Sequence, residues 1–151
     1  MTPARGRAAV IDRATLCLIN HIRIRHGLRR VHHSRALGGV AIGQAHDMVR
    51  GDYFADHSLL GQPPSARIMV ALHRAGPAGF SVSTAQNIGW GAGRAATPAG
   101  IVRAWMHSPP HRRIMLSPAF RKAGVGVAPA LPRALGRGSA GATYAVEFAA
   151  G

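Results

Sequence analysis

At 151 residues the chain is the length of one ordinary domain, and its 19 basic against 5 acidic residues give a net charge of +14. That length suits a single core burying roughly 70% of the surface of the unfolded chain. No uncharged run approaches the length of a membrane span, and the lone Cys17 excludes an internal disulfide. The charge implies attraction to polyanions. Yet 18 of the 19 basic residues are Arg, spread along the chain beside heavy use of Ala and Gly, a skew that codon composition also produces. No nucleic-acid-reading motif accompanies it. Residues 1–9 read as an N-terminal extension and 10–151 as one domain. Arg5 and Arg7 are not followed by an apolar stretch with a small-residue cleavage site, so no signal peptide is visible. A cytoplasmic chain is one expectation, and a trimmed export signal is the other.

Residues 10 to 26 place Ile11, Ala14, Leu18 and Ile22 at helical spacing, with Gly27 as the stop. Cys17 falls in this pattern as a small buried hydrophobe, and His32 and His33 read as a solvated connector. Ser34 caps a second helix running to about Arg50, with Leu37, Val40, Ala41, Ala45 and Met48 on one face and Gly51 ending it. Asp47 lies near its end, where it can orient a group in a neighbouring cleft. The segment GDYFADHSLLGQPP follows as a loop, and Tyr53 and Phe54 can wedge it onto the core and steady His57. Pro64 opens a third helix with Ile68, Ala71, Leu72 and Ala75 inward, stopped by Gly76. The period then changes to two over Phe80, Val82, Thr84, Gln86 and Ile88, which predicts a strand carrying Gln86 and Asn87 into a glycine-rich exit. Those glycines do not have phosphate-loop spacing. Thr97 and Pro98 start a fourth helix, with Ile101, Ala104 and Trp105 inward. AGVGVAPA and ATYAVEFAAG read as two strands joined by a turn over residues 129–141.

The stretch WMHSPPHRRIML concentrates chemistry. Pro109 and Pro110 end the helix carrying Trp105, and the Ser108 hydroxyl is expected to cap a short new helix. His111 is thereby set at a corner, where an imidazole can face a cleft. His107 and His111 have the spacing of a helical metal pair, but the prolines interrupt the helix and the HExxH glutamate is absent. His107 is expected to be exposed.

Taken in order, these landmarks resemble the bacterial branch of the CAP superfamily, the cysteine-rich secretory or SCP-like domain. They are the first-helix asparagine followed by HGL, A..HDM, GDYFADHS..G, QNIGWG, WMHSPPHR.IML, and GVGV followed by a strand ending in EF, together covering about 140 residues. The resemblance implies an α+β fold: a three-layer α-β-α sandwich with a small, mainly antiparallel sheet of three strands between helices. It also implies a cleft lined by two histidines and two acidic residues. By position these are His57, His111, Gln86 where the family reads Glu, and Ser108 at the other acidic position. Asp56, Asn87 and Asp47 stand as supporting residues.

Gln86 alters the chemistry. A carboxamide neither takes a proton nor adds charge for a cation held by neutral imidazoles. His57 and His111 remain as two ligands for zinc or another divalent cation, about half the usual tetrahedral set. The leading expectation is a non-catalytic binding domain, monomeric, at the cell envelope or outside the cell, with an anionic envelope polymer or lipid as partner. Two alternatives stand beside it. One is a hydrolase, either metal-assisted or built on Ser58 or Ser108 with a histidine and Asp56. The other is a polyanion or nucleic-acid binder acting through the basic surface.

Overall fold

The computed structural model describes residues 3–76, 82–136 and 140–151, apart from the side chains of residues 3–6. Its helices are α1 (Pro3–Arg25), α2 (Arg35–Arg50), α3 (Pro64–Ala75), α4 (Pro98–Met106), α5 (Pro109–Met115) and the single turn α6 (Arg133–Gly136). The strands are β1 (His32–His33), β2 (Thr84–Ala92), β3 (Lys122–Ala128) and β4 (Gly141–Ala149). They form one sheet in the order β1-β3-β4-β2. β4 pairs antiparallel with both β2 and β3, and β1 adds two parallel pairs to the outer edge of β3. The architecture is the expected α+β sandwich, with one strand more than expected: the His32–His33 connector joins the sheet while both side chains stay exposed.

Strand alternation sorts the two faces. Val125 and Val127 of β3 and Tyr144, Val146 and Phe148 of β4 pack with Ile19, Ile101, Val102 and Trp105 from α1 and α4. Phe120 stacks on Phe148 at 5.4 Å between ring centroids. On the opposite face α2 lies directly on β3, and glycine is what permits the approach. A Cβ at Gly124 would sit 2.0 Å from the Gly38 nitrogen, and one at Gly126 2.2 Å from that of Ile42. Beside this contact, Ala41, Met48, Ile88 and Ala145 make a second cluster, onto which Tyr53 and Phe54 pack.

The first helix departs from its expected face. Thr15, Ile19 and Arg23 are the fully buried positions, spaced by four residues, while Ala14 is exposed. Arg23 is buried because its guanidinium satisfies four carbonyls. Nε donates to Arg29 O at 2.9 Å, Nη1 to Met115 O and Ser117 O at 2.7 and 2.9 Å, and Nη2 to Phe120 O at 3.3 Å. One side chain thus ties the end of α1 to the segment leading into β3. Cys17, two residues off the buried stripe, is exposed and not a core residue. The helix also starts at Pro3, well before residue 10. β2 runs on through Gly89 and Gly91, so the glycine-rich exit is strand. Gly91 admits the close carbonyl of Ala95, 2.2 Å from where a Cβ would be. Phe80 lies outside the described residues. Ala75 and Ala104, expected inward, are exposed. Among the described residues no helix is long and apolar enough to cross a membrane.

Candidate functional site

The site residues gather at the outer strand β2, whose alternation sends Gln86 and Asn87 to opposite faces. Gln86 faces the α2 and α3 side. Its Nε2 donates to Asp56 Oδ1 at 3.3 Å, tying the strand to the loop that carries His57. Asn87 faces the α5 side, where its Nδ2 donates to the His111 carbonyl at 3.1 Å. One two-residue step of β2 therefore positions both segments bearing the candidate histidines. His111 is half-buried and His57 is exposed on its loop.

The loop from residue 51 to 63 is held by polar contacts as well as by Tyr53 and Phe54. Tyr53 Oη donates to Asp47 Oδ2 at 2.5 Å, so Asp47 secures the loop. Burial, reinforced by Asp47, pushes the Tyr53 phenol up to about 12. Gln44 Nε2 donates to Ala55 O at 2.9 Å, and Arg67 Nη2 to Asp56 O at 2.6 Å. At the α4–α5 corner Trp105 is the expected anchor, buried with Nε1 donating to Ile88 O at 2.9 Å. Pro109 follows Ser108 at the start of α5, as expected, but the hydroxyl does not cap the helix. Ser108 Oγ lies instead 2.8 Å from His111 Nδ1. The Arg112 amide is served by the Ser108 carbonyl at 2.8 Å. This pairing orients the imidazole through Nδ1. His107 is exposed, as expected.

Two residues at this site escaped the sequence reading. Glu147 is the register partner of Gln86 across β2 and β4, completely buried, and neither carboxyl oxygen has a hydrogen-bond partner among the described residues. Directly paired side chains on one face lie about 5 Å apart at Cβ. Burial pushes the Glu147 carboxyl up to about 8, opposed by Arg67 and reinforced by Asp56. A neutral carboxylic acid therefore lies one strand away from the amide that replaces the expected carboxylate. Arg67 of α3 is the second: it donates to the Asp56 carbonyl on the loop, and its charge favours ionisation of the buried acid. The signal for Glu147 was a charged residue inside the apolar run YAVEFAA; Arg67, one of two arginines in α3, had none. Among the described residues, no group of three or more His, Cys, Asp or Glu side chains is arranged to hold a metal ion. Gln86, Ser108 and Asn87 are not side chains of these types, and His57 and His111 are only two.

The cysteine-rich secretory protein family, CAP, matches residues 16–131, and the chain belongs to that family. Its structure is similar to an extracellular SCP-domain protein from Bacillus anthracis str. Ames, with a TM-score of 0.75 at 23% identity, covering 100% of this chain and 44% of that one. An outer surface protein from Borrelia burgdorferi matches at a TM-score of 0.70 and 19% identity, over 91% of this chain and 90% of its own. A cysteine-rich secretory protein from Staphylococcus aureus subsp. aureus Mu50 matches at 0.64 and 16%, over 95% and 39%. The chain thus spans less than half of the Bacillus anthracis and Staphylococcus aureus chains. No curated protein sequence matches it.

Proposed function

We propose that this CAP domain is a non-catalytic binding module of the cell envelope or exterior, whose cleft uses His57 and His111 to hold a divalent cation or an envelope ligand. The observation that carries the reading is the Gln86 amide donating to Asp56 at 3.3 Å. A carboxamide, which does not take up a proton, stands where general-base catalysis needs a carboxylate. The +14 charge suits an anionic polymer or lipid headgroup as partner, and the extracellular and outer-surface names of the similar structures fit that setting. The test is zinc titration by calorimetry into the wild type and a His57→Ala, His111→Ala double variant. The wild type is expected to bind with at least tenfold higher affinity, about one imidazole–metal contact's worth of free energy. Equal affinities remove the metal part of the reading.

A second reading, a serine-type hydrolase, is favoured by the Ser108 Oγ to His111 Nδ1 distance of 2.8 Å, which is nucleophile-to-base reach. It predicts ester turnover that disappears in Ser108→Ala with the fold retained. A broad panel of esters and peptides left untouched by the wild type refutes it.

A further inference from the structure

A groove of about 660 Å³ lies between α2 and α3, and none of His57, Gln86, Ser108 and His111 lines it. Its form follows from residue size. Ala36, Gly39 and Val40, in the first two turns of α2, line it together with Ala71 and Ala75 in the second half of α3. A Cβ at Gly39 would meet nothing within 4 Å, so the space above these residues is open. The floor is firm, because Ala36 and Val40 pack on the buried cluster of Leu37, Ile68 and Leu72. Val70 also lines the groove and remains 47% exposed, an apolar side chain left in water beside an apolar floor.

Three arginines frame the groove, Arg35 at the start of α2 and Arg67 and Arg74 on α3, and no acid is among the lining residues. The first turn of α2 adds the positive end of a helix dipole. Arg67 is held by donation from Nη2 to Asp56 O at 2.6 Å, and its buried Nε has no hydrogen-bond partner among the described residues. Arg35 and Arg74 are exposed. Arg67 and Arg74 stand two turns apart on one helix, about 10.5 Å along its axis. Both walls are helices whose backbone groups are bonded internally, so an extended segment laid here would find no ladder for its own amides and carbonyls. A helix satisfies its own. Small residues on the two walls let the side-chain ridge of a third helix settle between them. We infer that this groove docks an acidic amphipathic helix of a partner protein. Carboxylates two turns apart on that helix pair with Arg67 and Arg74 through paired hydrogen bonds, and its apolar face covers Val70 and the alanines. The inference goes beyond the His57–His111 reading, and either can fail without the other.

The test uses the full chain and a fluorescein-labelled, alanine- and leucine-rich helical peptide of about 20 residues, long enough to hold a helix in water. It carries two glutamates two turns apart, and binding is followed by fluorescence anisotropy at physiological ionic strength. Saturable binding is expected, at least about tenfold tighter than for an isomeric peptide with the glutamates on opposite faces. Arg35→Glu and Arg74→Glu should each weaken it about tenfold or more, the scale of one charge-assisted contact. Gly39→Phe, which fills the open space, should abolish it. A peptide with lysines in place of the glutamates should bind the Arg35→Glu, Arg74→Glu double variant and not the wild type, a rescue that a misfolded variant does not give. The His57→Ala, His111→Ala variant should bind like the wild type. No saturable binding, or wild-type affinity in Gly39→Phe, overturns the groove. Equal affinity for the two isomeric peptides, or equal competition by an unstructured polyglutamate, overturns the helical occupant and leaves the general attraction of a +14 chain for polyanions.

Discussion

Replacing Glu147 by Gln isolates the cost of a buried, unpartnered carboxyl group. Its folded value of about 8 lies above the ordinary carboxyl value of 4.5, with burial as the main cause, Arg67 opposing and Asp56 adding. The sign follows from proton counts. Between these two values the unfolded chain has released the proton that the folded chain retains, so stability falls as pH rises through that window and is level above it. Each unit is worth about 1.4 kcal/mol, so the ionised group above its folded value costs about 4 to 5 kcal/mol relative to the protonated one. The Gln variant is nearly isosteric, stays neutral, and lacks this slope. Urea unfolding followed by far-UV circular dichroism, from about pH 5 to about pH 9 on both proteins, gives the difference profile directly. The two should nearly coincide at the acid end, with the variant more stable by about 4 kcal/mol at the alkaline end. Arg67, Asp56 and the histidines are common to both and cancel in the difference. Parallel profiles would refute the reasoning, because they require Glu147 to ionise equally in both states.

Two further perturbations test the framework around the site. Arg23→Met removes the group that serves four carbonyls between α1 and the approach to β3. The expected loss is about 3 kcal/mol or more, a fall in Tm of about 10 °C by calorimetry; a shift of less than about 2 °C contradicts the role assigned to it. Glycine substitutions should split by location. Gly124→Ala, with a Cβ 2.0 Å from the backbone of α2, should cost about 3 kcal/mol in denaturant unfolding. Gly39→Ala, exposed in mid-helix with open space around it, should add up to about 1 kcal/mol.

Local patterns carried most of the fold. Ser34 at the start of α2, its hydroxyl accepting the Leu37 amide at 3.2 Å, and Gly51 at its end were readable because capping is a contest among neighbours in sequence. The Pro98 and Pro109 helix starts, the buried Trp105 and the exposed His107 follow from the same short-range chemistry. The positions of His57, Gln86, Ser108 and His111 were legible only through their resemblance to a family pattern, since nothing in their spacing says which of them meet.

What the sequence determined by itself was the helix starts at Ser34, Pro64, Pro98 and Pro109, the proline corner and the residue types at the site. These depend on propensities and clashes within a few residues. What tertiary structure decided was pairing and burial. Arg23 is one arginine among 18 in the sequence, yet lies in the core because carbonyls up to 97 residues away converge on it. Ser108 reads as a helix cap, yet its hydroxyl goes to His111. Glu147 reads as a charge interrupting a strand, yet strand register sets it against Gln86 as a buried acid. Sequence specifies which groups a residue carries, and the register of β4 with β2 and the seating of α1 and α2 decide which of those groups lose water and what replaces it.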